Sequence, residues 1–215
     1  QLQKQKDELY KLKRQMYDQR REYNKLLMVD ARAEHLVTEM IKCADKVNLS
    51  NPLVFVKPTE TTEKEAVICL ADLHYGMVTD NIWNQYNTEI CKKRLSTVVS
   101  KMCVQLKEHK PSKIHILLLG DSAHGGCYVT ARVAAEEDVC DQIMQVSELL
   151  AQAINEFSHY ADETLVYSTY GNHLRTIQNK KDSTHSDNME KIIPWWINER
   201  FRDRDDITVI DSEFQ

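Results

Sequence analysis

The sequence predicts an α/β fold in which a largely parallel sheet is flanked by helices and preceded by a long helical arm. Three runs of strand-forming residues, 66–71, 114–119 and 164–169, each end abruptly in polar residues. Segments with the apolar period of an amphipathic helix separate these runs, and such alternation is typical of a parallel sheet. Residues 1–47 contain neither glycine nor proline, which favours one continuous helix.

The arm repeats apolar residues every seven positions, which is the pattern of a coiled coil. The a positions are Leu2, Leu9, Met16, Tyr23, Asp30, Val37 and Ala44, and the d positions are Gln5, Leu12, Gln19, Leu26, Ala33, Met40 and Val47. A helix of this length extends roughly 70 Å and cannot bury its own seam, so we expect a homo-oligomer formed through it. The alternative is a solvated helix lying along the globular part, which the polar Gln5, Gln19 and Asp30 leave open.

Composition limits the remaining possibilities. At 215 residues and 42% hydrophobic content, the chain can form one globular domain with an appendage. No apolar run approaches the ~20 residues of a membrane helix, so no membrane partner is expected. The six cysteines show no CxxC pair, which indicates reduced thiols and a cytoplasmic location. The net charge of -5 argues against a broad basic surface for nucleic acid, although a metal centre binds phosphate even in an acidic protein.

The remaining elements follow in order. Residues 48–65 contain Pro52 and Pro58 and form the predicted linker, and residues 66–215 form the globular domain. Residues 77–87 are predicted to be irregular, and amphipathic patterns predict helices over about 88–109 and 134–160. A further helix over about 188–202 is expected to bend at Pro194, and a last strand covers 207–210.

Polar residues with metal-binding chemistry follow each of the three main strands. These are Asp72 and His74, then Gly120-Asp121, then Gly171-Asn172-His173. Each motif alone also describes an ordinary turn. Together they are spaced by 49 residues (72 to 121) and 51 residues (121 to 172), the length of one strand–helix unit. Parallel strands end at one edge of the sheet, so the side chains are expected to converge there. Mixed oxygen and nitrogen ligands favour Mn, Fe or Zn, and a shared carboxylate can bridge two ions.

The order DxH, GD, GNH resembles the first three motifs of the calcineurin-like metallophosphoesterase superfamily. The resemblance covers about residues 66–211 and is strongest to phage-encoded metallophosphoesterases. More distantly, the chain is similar to the nuclease subunits of double-strand-break repair complexes. The resemblance implies that Asp72 and His74 hold a first metal ion, that Asp121 bridges two ions and that Asn172 binds the second. It implies that His173 is catalytic and protonates the leaving oxygen or steadies the phosphate charge.

Two residues differ from the usual family pattern. His124 stands where an acidic residue often follows the GD motif, and Arg175 follows the GNH motif in place of an acid. Both are predicted to bind substrate phosphate. The alternatives are that His124 closes a glycine-rich turn and that Arg175 is an ordinary surface arginine.

The final family motifs, a lone histidine and GHxH, do not follow His173. Only His185, in a polar segment, comes later. The chain is therefore interpreted as truncated at its C-terminus, with an incomplete set of ligands for the second ion.

The resulting prediction is a two-metal phosphoesterase, with Mn favoured and Fe or Zn as alternatives, that hydrolyses phosphodiester bonds. The resemblance favours DNA as substrate and the bacterial host cell as location. One alternative is a nucleotide or phosphoprotein phosphatase or phosphodiesterase. Another is a coiled-coil scaffold that carries a degenerate catalytic domain.

Overall fold

The computed structural model describes residues 2–44, 53, 56–58, 60–179, 181 and 187–210. The chain divides into two compact units, Gln1–Val47 and Asn48–Gln215. The first unit contains one helix, α1 (Leu2–Ala44), and residues 45–47 of the predicted arm lie outside the described range. Within this unit the apolar side chains of Leu9, Leu12, Met16 and Tyr23 are between 57% and 67% exposed.

The second unit is built on a sheet of four parallel strands. Its elements, in chain order, are β1 (Glu65–Leu70), β2 (Thr79–Asp80), β3 (Gln85–Tyr86), α2 (Thr88–His109), β4 (Lys113–Leu118), α3 (Val129–Val133), α4 (Val139–Ser158), β5 (Glu163–Ser168), a 3-10 turn (Met189–Lys191), α5 (Ile192–Arg200) and β6 (Ile207–Ile210). The strand order is β1-β4-β5-β6, and every neighbouring pair is parallel. The predicted α/β fold, with a mostly parallel sheet flanked by helices, is confirmed.

The strand order determines where the helices lie. Each strand is added on the same side of the one before it, and crossovers between parallel strands are right-handed. The connecting helices α2, α4 and α5 therefore pack on one face of the sheet, and α4 contacts both α2 and α5. Burial alternates accordingly along β4, where Ile114, Ile116 and Leu118 are buried and the intervening residues are half-exposed.

Side-chain caps fix where the two long helices begin. The predicted helix over 88–109 is confirmed as α2, and the side chain of Asn87 accepts the Ile90 N–H at its start. The prediction for 134–160 was too long, because α4 starts only at Val139. Asp138 caps α4 by accepting the N–H groups of Cys140 and Asp141.

Two further predictions were wrong in detail. Pro194 does not bend a helix; it lies in the first turn of α5, where a missing N–H leaves no hydrogen bond unmade. Residues 77–87, predicted as irregular, contain the antiparallel pair β2–β3.

Within the described ranges, no helix has the length and the apolar character that crossing a membrane requires. No disulfide links the cysteines whose side chains are described.

Candidate metal centre at the carboxyl edge of the sheet

Three loops meet where β1, β4 and β5 end. The first loop (residues 71–76) follows β1, the second loop (119–126) follows β4 and the third loop (169–175) follows β5. Because β4 lies between β1 and β5 in register, with Leu70 beside Leu118 and Leu118 beside Ser168, the three loops leave the sheet side by side. The structure therefore places the three motifs at one edge of the sheet.

Backbone hydrogen bonds continue the pairing of β1 and β4 beyond the strands. The N–H groups of Asp72 and His74 donate to the carbonyls of Gly120 and Asp121, at 3.2 and 3.0 Å. Tyr75 then donates to Ser122 at 3.0 Å, and His124 donates back to Tyr75 at 2.8 Å. The first two loops are therefore held to each other by main-chain contacts, and their side chains project from a fixed frame.

The second and third loops approach so closely that only glycine fits at the contact. A Cβ atom on Gly171 would lie 2.2 Å from Oδ1 of Asp121 and 2.4 Å from its backbone nitrogen. That Oδ1 accepts the backbone N–H groups of Asn172 and His173, at 2.8 and 2.9 Å. The glycine of the third motif is thus explained by this contact: it lets the Asp121 carboxylate anchor the third loop.

The proposed ligands themselves have unusual backbone geometry. Asp72, His74 and Asp121 have φ values of 51°, 43° and 51°, in the left-handed region that residues other than glycine seldom adopt. Such conformations cost free energy and occur preferentially at functional sites.

Asp72, His74 and Asp121 form one group whose ligand atoms all lie within 4.8 Å of one another. Nε2 of His74 is 3.7 Å from Oδ1 of Asp72, and the Asp72 side chain is 72% exposed. Two carboxylates and one imidazole converging at an open edge are the donor set that Mn²⁺, Fe²⁺ or Zn²⁺ accepts. The residues therefore fit a divalent cation. Asn172, on the third loop, is exposed, and its backbone N–H joins the third loop to Asp121 of this group.

A second group combines His74, His124 and His173, whose ligand nitrogens also lie within 4.8 Å of one another. Burial lowers the pKa of His74, as does the nearby His173, while Asp121 and Asp72 oppose the effect. Burial likewise lowers the pKa of His124, with His173 and His74 adding to it and the backbone of Ala131 opposing it. At neutral pH these effects favour the neutral form of His74 and His124, which has a free lone pair.

His173 is oriented by the second loop, and Arg175 is oriented by its own loop and by Tyr128, just beyond the second loop. Nδ1 of His173 donates to the His124 carbonyl at 2.7 Å, so its Nε2 faces away from that anchor. Arg175 donates from Nε to the Asn172 carbonyl at 3.1 Å and from Nη2 to the Tyr128 hydroxyl at 2.5 Å. The ring of Tyr128 lies 6.1 Å from that of His173, so Arg175 is held beside the histidine.

Sequence reasoning missed Glu190, which joins the second and third loops from the interior. Glu190 is 2% exposed, and its carboxylate accepts the N–H groups of Ser122 at 2.8 Å and Gly171 at 2.7 Å. Burial raises the pKa of Glu190 and the charge of Asp121 adds to this, whereas the two N–H donors lower it. No local signal announces this role, because both partners are distant in sequence.

Two further buried residues, Asn188 and Gln142, support the second and third loops through side-chain hydrogen bonds. The side chain of Asn188 donates to the Gly171 carbonyl at 2.8 Å and accepts the Glu190 N–H at 2.9 Å. Gln142 on α4 is fully buried and accepts the Gly125 N–H at 2.8 Å. In the sequence, the one signal for these supporting residues is that Asn188 is a polar residue just before a predicted helix. That signal predicts a helix cap and not a contact with the third loop. The remaining candidate, His185, lies outside the part of the chain that the structure describes.

No protein-family profile matches the chain. The chain is similar to the SPbeta prophage-derived uncharacterized protein YonJ of Bacillus subtilis (strain 168), with 23% identity over 208 residues. The match covers 95% of this chain and 51% of the relative, so the chain spans about half the length of the curated protein that it matches.

Proposed function

We propose that the chain carries a metallophosphoesterase-type site that hydrolyses phosphodiester bonds with divalent cations, Mn²⁺ above all. The observation that carries the proposal is the convergence of Asp72, His74 and Asp121 at the edge where β1 and β4 end. The motif order DxH, GD, GNH supports the same assignment. Fe and Zn suit the same donors and remain the alternatives.

The residues divide between two cation positions. Asp72, His74 and Asp121 supply three donors for the first. Asp121 and Asn172 supply two donors for the second, which is an incomplete set among the described residues. Bound divalent ions would supply polarisation of the phosphoryl group and a lower pKa for water. The loop backbone, which is fixed by its hydrogen bonds, supplies preorganisation, because the three donors do not have to be brought into place when an ion binds.

His173 is placed to manage the proton of the leaving group. As water attacks phosphorus, the bond from phosphorus to the leaving oxygen breaks, and that oxygen takes up a proton. Protonated His173 can donate it from Nε2, because its Nδ1–H is committed to the His124 carbonyl at 2.7 Å. A histidine in this role accelerates hydrolysis by about 10² to 10⁴.

Arg175 is assigned to the substrate phosphate. Its contacts with the Asn172 carbonyl and the Tyr128 hydroxyl fix the planar guanidinium next to His173. A guanidinium in a fixed orientation can donate two hydrogen bonds to one phosphate group. His124, the other predicted phosphate-binding residue, is only 7% exposed, so it contributes from beneath the site and not from its surface.

DNA is the proposed source of the phosphodiester, in the bacterial cell that a phage-related protein would occupy. The relative encoded by a prophage supports this setting. The net charge of -5 means that phosphate binding would depend on the cations and Arg175 and not on a broad basic surface.

The arm is proposed to form a homo-oligomeric coiled coil. Its seam residues Leu9, Leu12, Met16 and Tyr23 are more than half exposed within the single chain. Pairing of two such seams would bury these side chains, which is the driving force of coiled-coil formation.

The experiment is hydrolysis of bis(p-nitrophenyl) phosphate by the intact protein, stripped with a chelator and then supplied with Mn²⁺. We expect no activity after stripping and recovery with Mn²⁺. Linear DNA is expected to inhibit competitively, whereas mononucleotides at the same phosphate concentration inhibit less. Inhibition by mononucleotides alone would indicate a small-molecule phosphodiesterase, and activity unaffected by the chelator would refute the metal-dependent mechanism.

A further inference from the structure

We propose that His74, His124 and His173 form a separate, all-imidazole cation position that takes an ion of the Zn²⁺ class. It is distinct from the carboxylate-rich position of Asp72, His74 and Asp121, with which it shares only His74. The ring centroids of His74 and His173 are 4.5 Å apart, those of His124 and His173 are 5.5 Å apart, and those of His74 and His124 are 6.2 Å apart. One nitrogen from each ring lies within 4.8 Å of the other two.

His124 is the residue that indicates a ligand. His124 is 7% exposed, and although the nearby backbone of Ala131 opposes the lowering of its pKa, neither ring nitrogen has a partner at hydrogen-bond geometry among the described residues. Its backbone, by contrast, is engaged on both sides, donating to Tyr75 and accepting from His173. A buried polar ring without partners is costly, and a metal ion is a partner that removes the cost.

His173 has the hydrogen bond that metal-binding histidines usually make. Because a carbonyl oxygen only accepts, the contact between Nδ1 and the His124 carbonyl at 2.7 Å places the proton on Nδ1. In the neutral ring the lone pair is then on Nε2. A histidine ligand commonly donates its other ring N–H to a backbone carbonyl, which fixes the tautomer and the ring orientation.

His74 belongs to both groups, and its two ring nitrogens have different surroundings. Nε2 lies 3.7 Å from Asp72 and belongs with the carboxylates. Nδ1 is buried and has no hydrogen-bond partner in the described part of the chain. The imidazole ring of His74 is therefore shared by the carboxylate-rich group and the all-imidazole group.

The donor chemistry selects the ion. Neutral imidazoles suit Zn²⁺, which binds three histidines and leaves a fourth tetrahedral position open. Zn–N bonds of about 2.0–2.1 Å place ligand nitrogens roughly 3.3 Å apart. The separations here are at most 4.8 Å, so the nitrogens would have to approach one another by up to about 1.5 Å to surround an ion.

Occupancy of this position has a functional consequence. An ion on Nε2 of His173 takes the lone pair that would otherwise carry the proton for the leaving oxygen. Zn²⁺ would therefore inhibit the proposed hydrolysis even when Mn²⁺ is present. The binding site itself does not depend on the hydrolysis proposal, because its ligands are tested without substrate.

The experiment is a Co²⁺ titration of the stripped, intact protein, followed by visible absorption, with Zn²⁺ added in competition. In His124→Gln we expect the intense tetrahedral absorption band to disappear and Zn²⁺ affinity to fall at least about tenfold. Asp121→Asn and the control His115→Gln should retain both; His115 lies in β4 and contacts Glu65 and Tyr167 instead. Unchanged binding in His124→Gln, or a loss in Asp121→Asn equal to that in His124→Gln, would overturn the proposal.

A measurement on the unaltered protein covers the case in which His124→Gln does not fold. X-ray absorption at the zinc edge of the protein loaded with one equivalent counts imidazole ligands by their multiple-scattering signal. Three imidazoles are expected, and one imidazole with oxygen ligands contradicts the assignment. If the all-imidazole site is found but hydrolysis is not, the proposed function fails and this site remains.

Discussion

The backbone N–H of His173 donates to Oδ1 of Asp121 at 2.9 Å, across 52 positions of sequence. The proposed bridging carboxylate thus also holds the loop that carries the proposed general acid. A change that displaces Asp121 therefore moves ligand and acid together, and activity is expected to respond more strongly than stability.

Gly171→Ala tests this contact directly. The added methyl group would lie 2.2 Å from Oδ1 of Asp121, so either loop must shift. We expect a loss of about 1–3 kcal/mol in the free energy of unfolding and about 10² in hydrolysis rate, because small displacements are costly in a preorganised site. Denaturant unfolding and the rate on bis(p-nitrophenyl) phosphate measure the two effects.

The control is Gly126→Ala, whose new methyl would lie 2.7 Å from Cγ2 of Val139 and 3.3 Å from Cγ of Arg132, outside the contact between the second and third loops. A Gly171→Ala protein as active as the Gly126→Ala protein would show that the close approach of the two loops is unimportant.

Glu190→Gln is expected to change how stability depends on pH. The pKa of Glu190 is raised in the folded protein, chiefly by burial, so between the unfolded value of about 4.3 and the folded value the native state holds the extra proton. The stability that the Glu190 carboxyl contributes is therefore fully present below the unfolded pKa. It is lost as the pH rises from the unfolded pKa through the folded pKa. The unfolding free energy of the wild type minus that of Glu190→Gln should accordingly fall with rising pH.

Thermal or urea unfolding from pH 4 to pH 8 measures this difference. Glu199→Gln, at an exposed position on α5, is the control. The unfolding free energy of the wild type minus that of Glu199→Gln should not fall with rising pH as it does for Glu190→Gln. At neutral pH we also expect Glu190→Gln to lose about 1–3 kcal/mol, because an amide cannot accept both buried N–H groups. A difference that grows with pH would contradict the assigned direction.

Arg175→Ala is expected to lower kcat/KM by about 10–100-fold, the value of a charged hydrogen bond to phosphate. Tyr128→Phe should have a smaller effect, since it removes only the hydroxyl that orients the guanidinium. Steady-state kinetics with the diester measure both. Arg202→Ala, at a guanidinium that is 71% exposed and paired with Glu199, serves as the control and should match the wild type.

Leu12→Lys is expected to dissociate the oligomer, because a charge in the seam of a coiled coil cannot be buried. Tyr10→Lys replaces another exposed residue, outside the seam, and should leave the assembly intact. Light scattering after size-exclusion chromatography reports the mass. A monomeric wild type, or equal masses for both variants, would refute the oligomerisation proposal.

The strands and their polar ends were predictable because both depend on local pattern. Residues 66–71, 114–119 and 164–169 were expected as strands, and β1, β4 and β5 each begin and end one residue earlier. The register that brings Asp72, Asp121 and Asn172 to one edge follows from parallel pairing of consecutive strands.

What local pattern could not provide are the contacts made between distant segments. Glu190 anchors two loops whose residues are 68 and 19 positions away, so nothing beside it in the sequence indicates the role. The left-handed backbone of Asp72, His74 and Asp121 is likewise imposed by the interlocked loops. The start of α4 was missed because helix propensity continues through residues 134–138, whereas Asp138 and the pairing of Met77 with Ala135 determine where it begins.

The most direct test of the central claim is the Mn²⁺-stimulated hydrolysis rate of Asp121→Asn in the intact protein. Asparagine can still accept the two N–H groups of the third loop, so the fold should persist while the shared negative charge is lost. We predict a rate reduced by at least about 10²-fold, with Asp162→Asn, exposed at the opposite edge of the sheet, equal to the wild type. A folded Asp121→Asn protein that hydrolyses the diester at the wild-type rate would contradict the account.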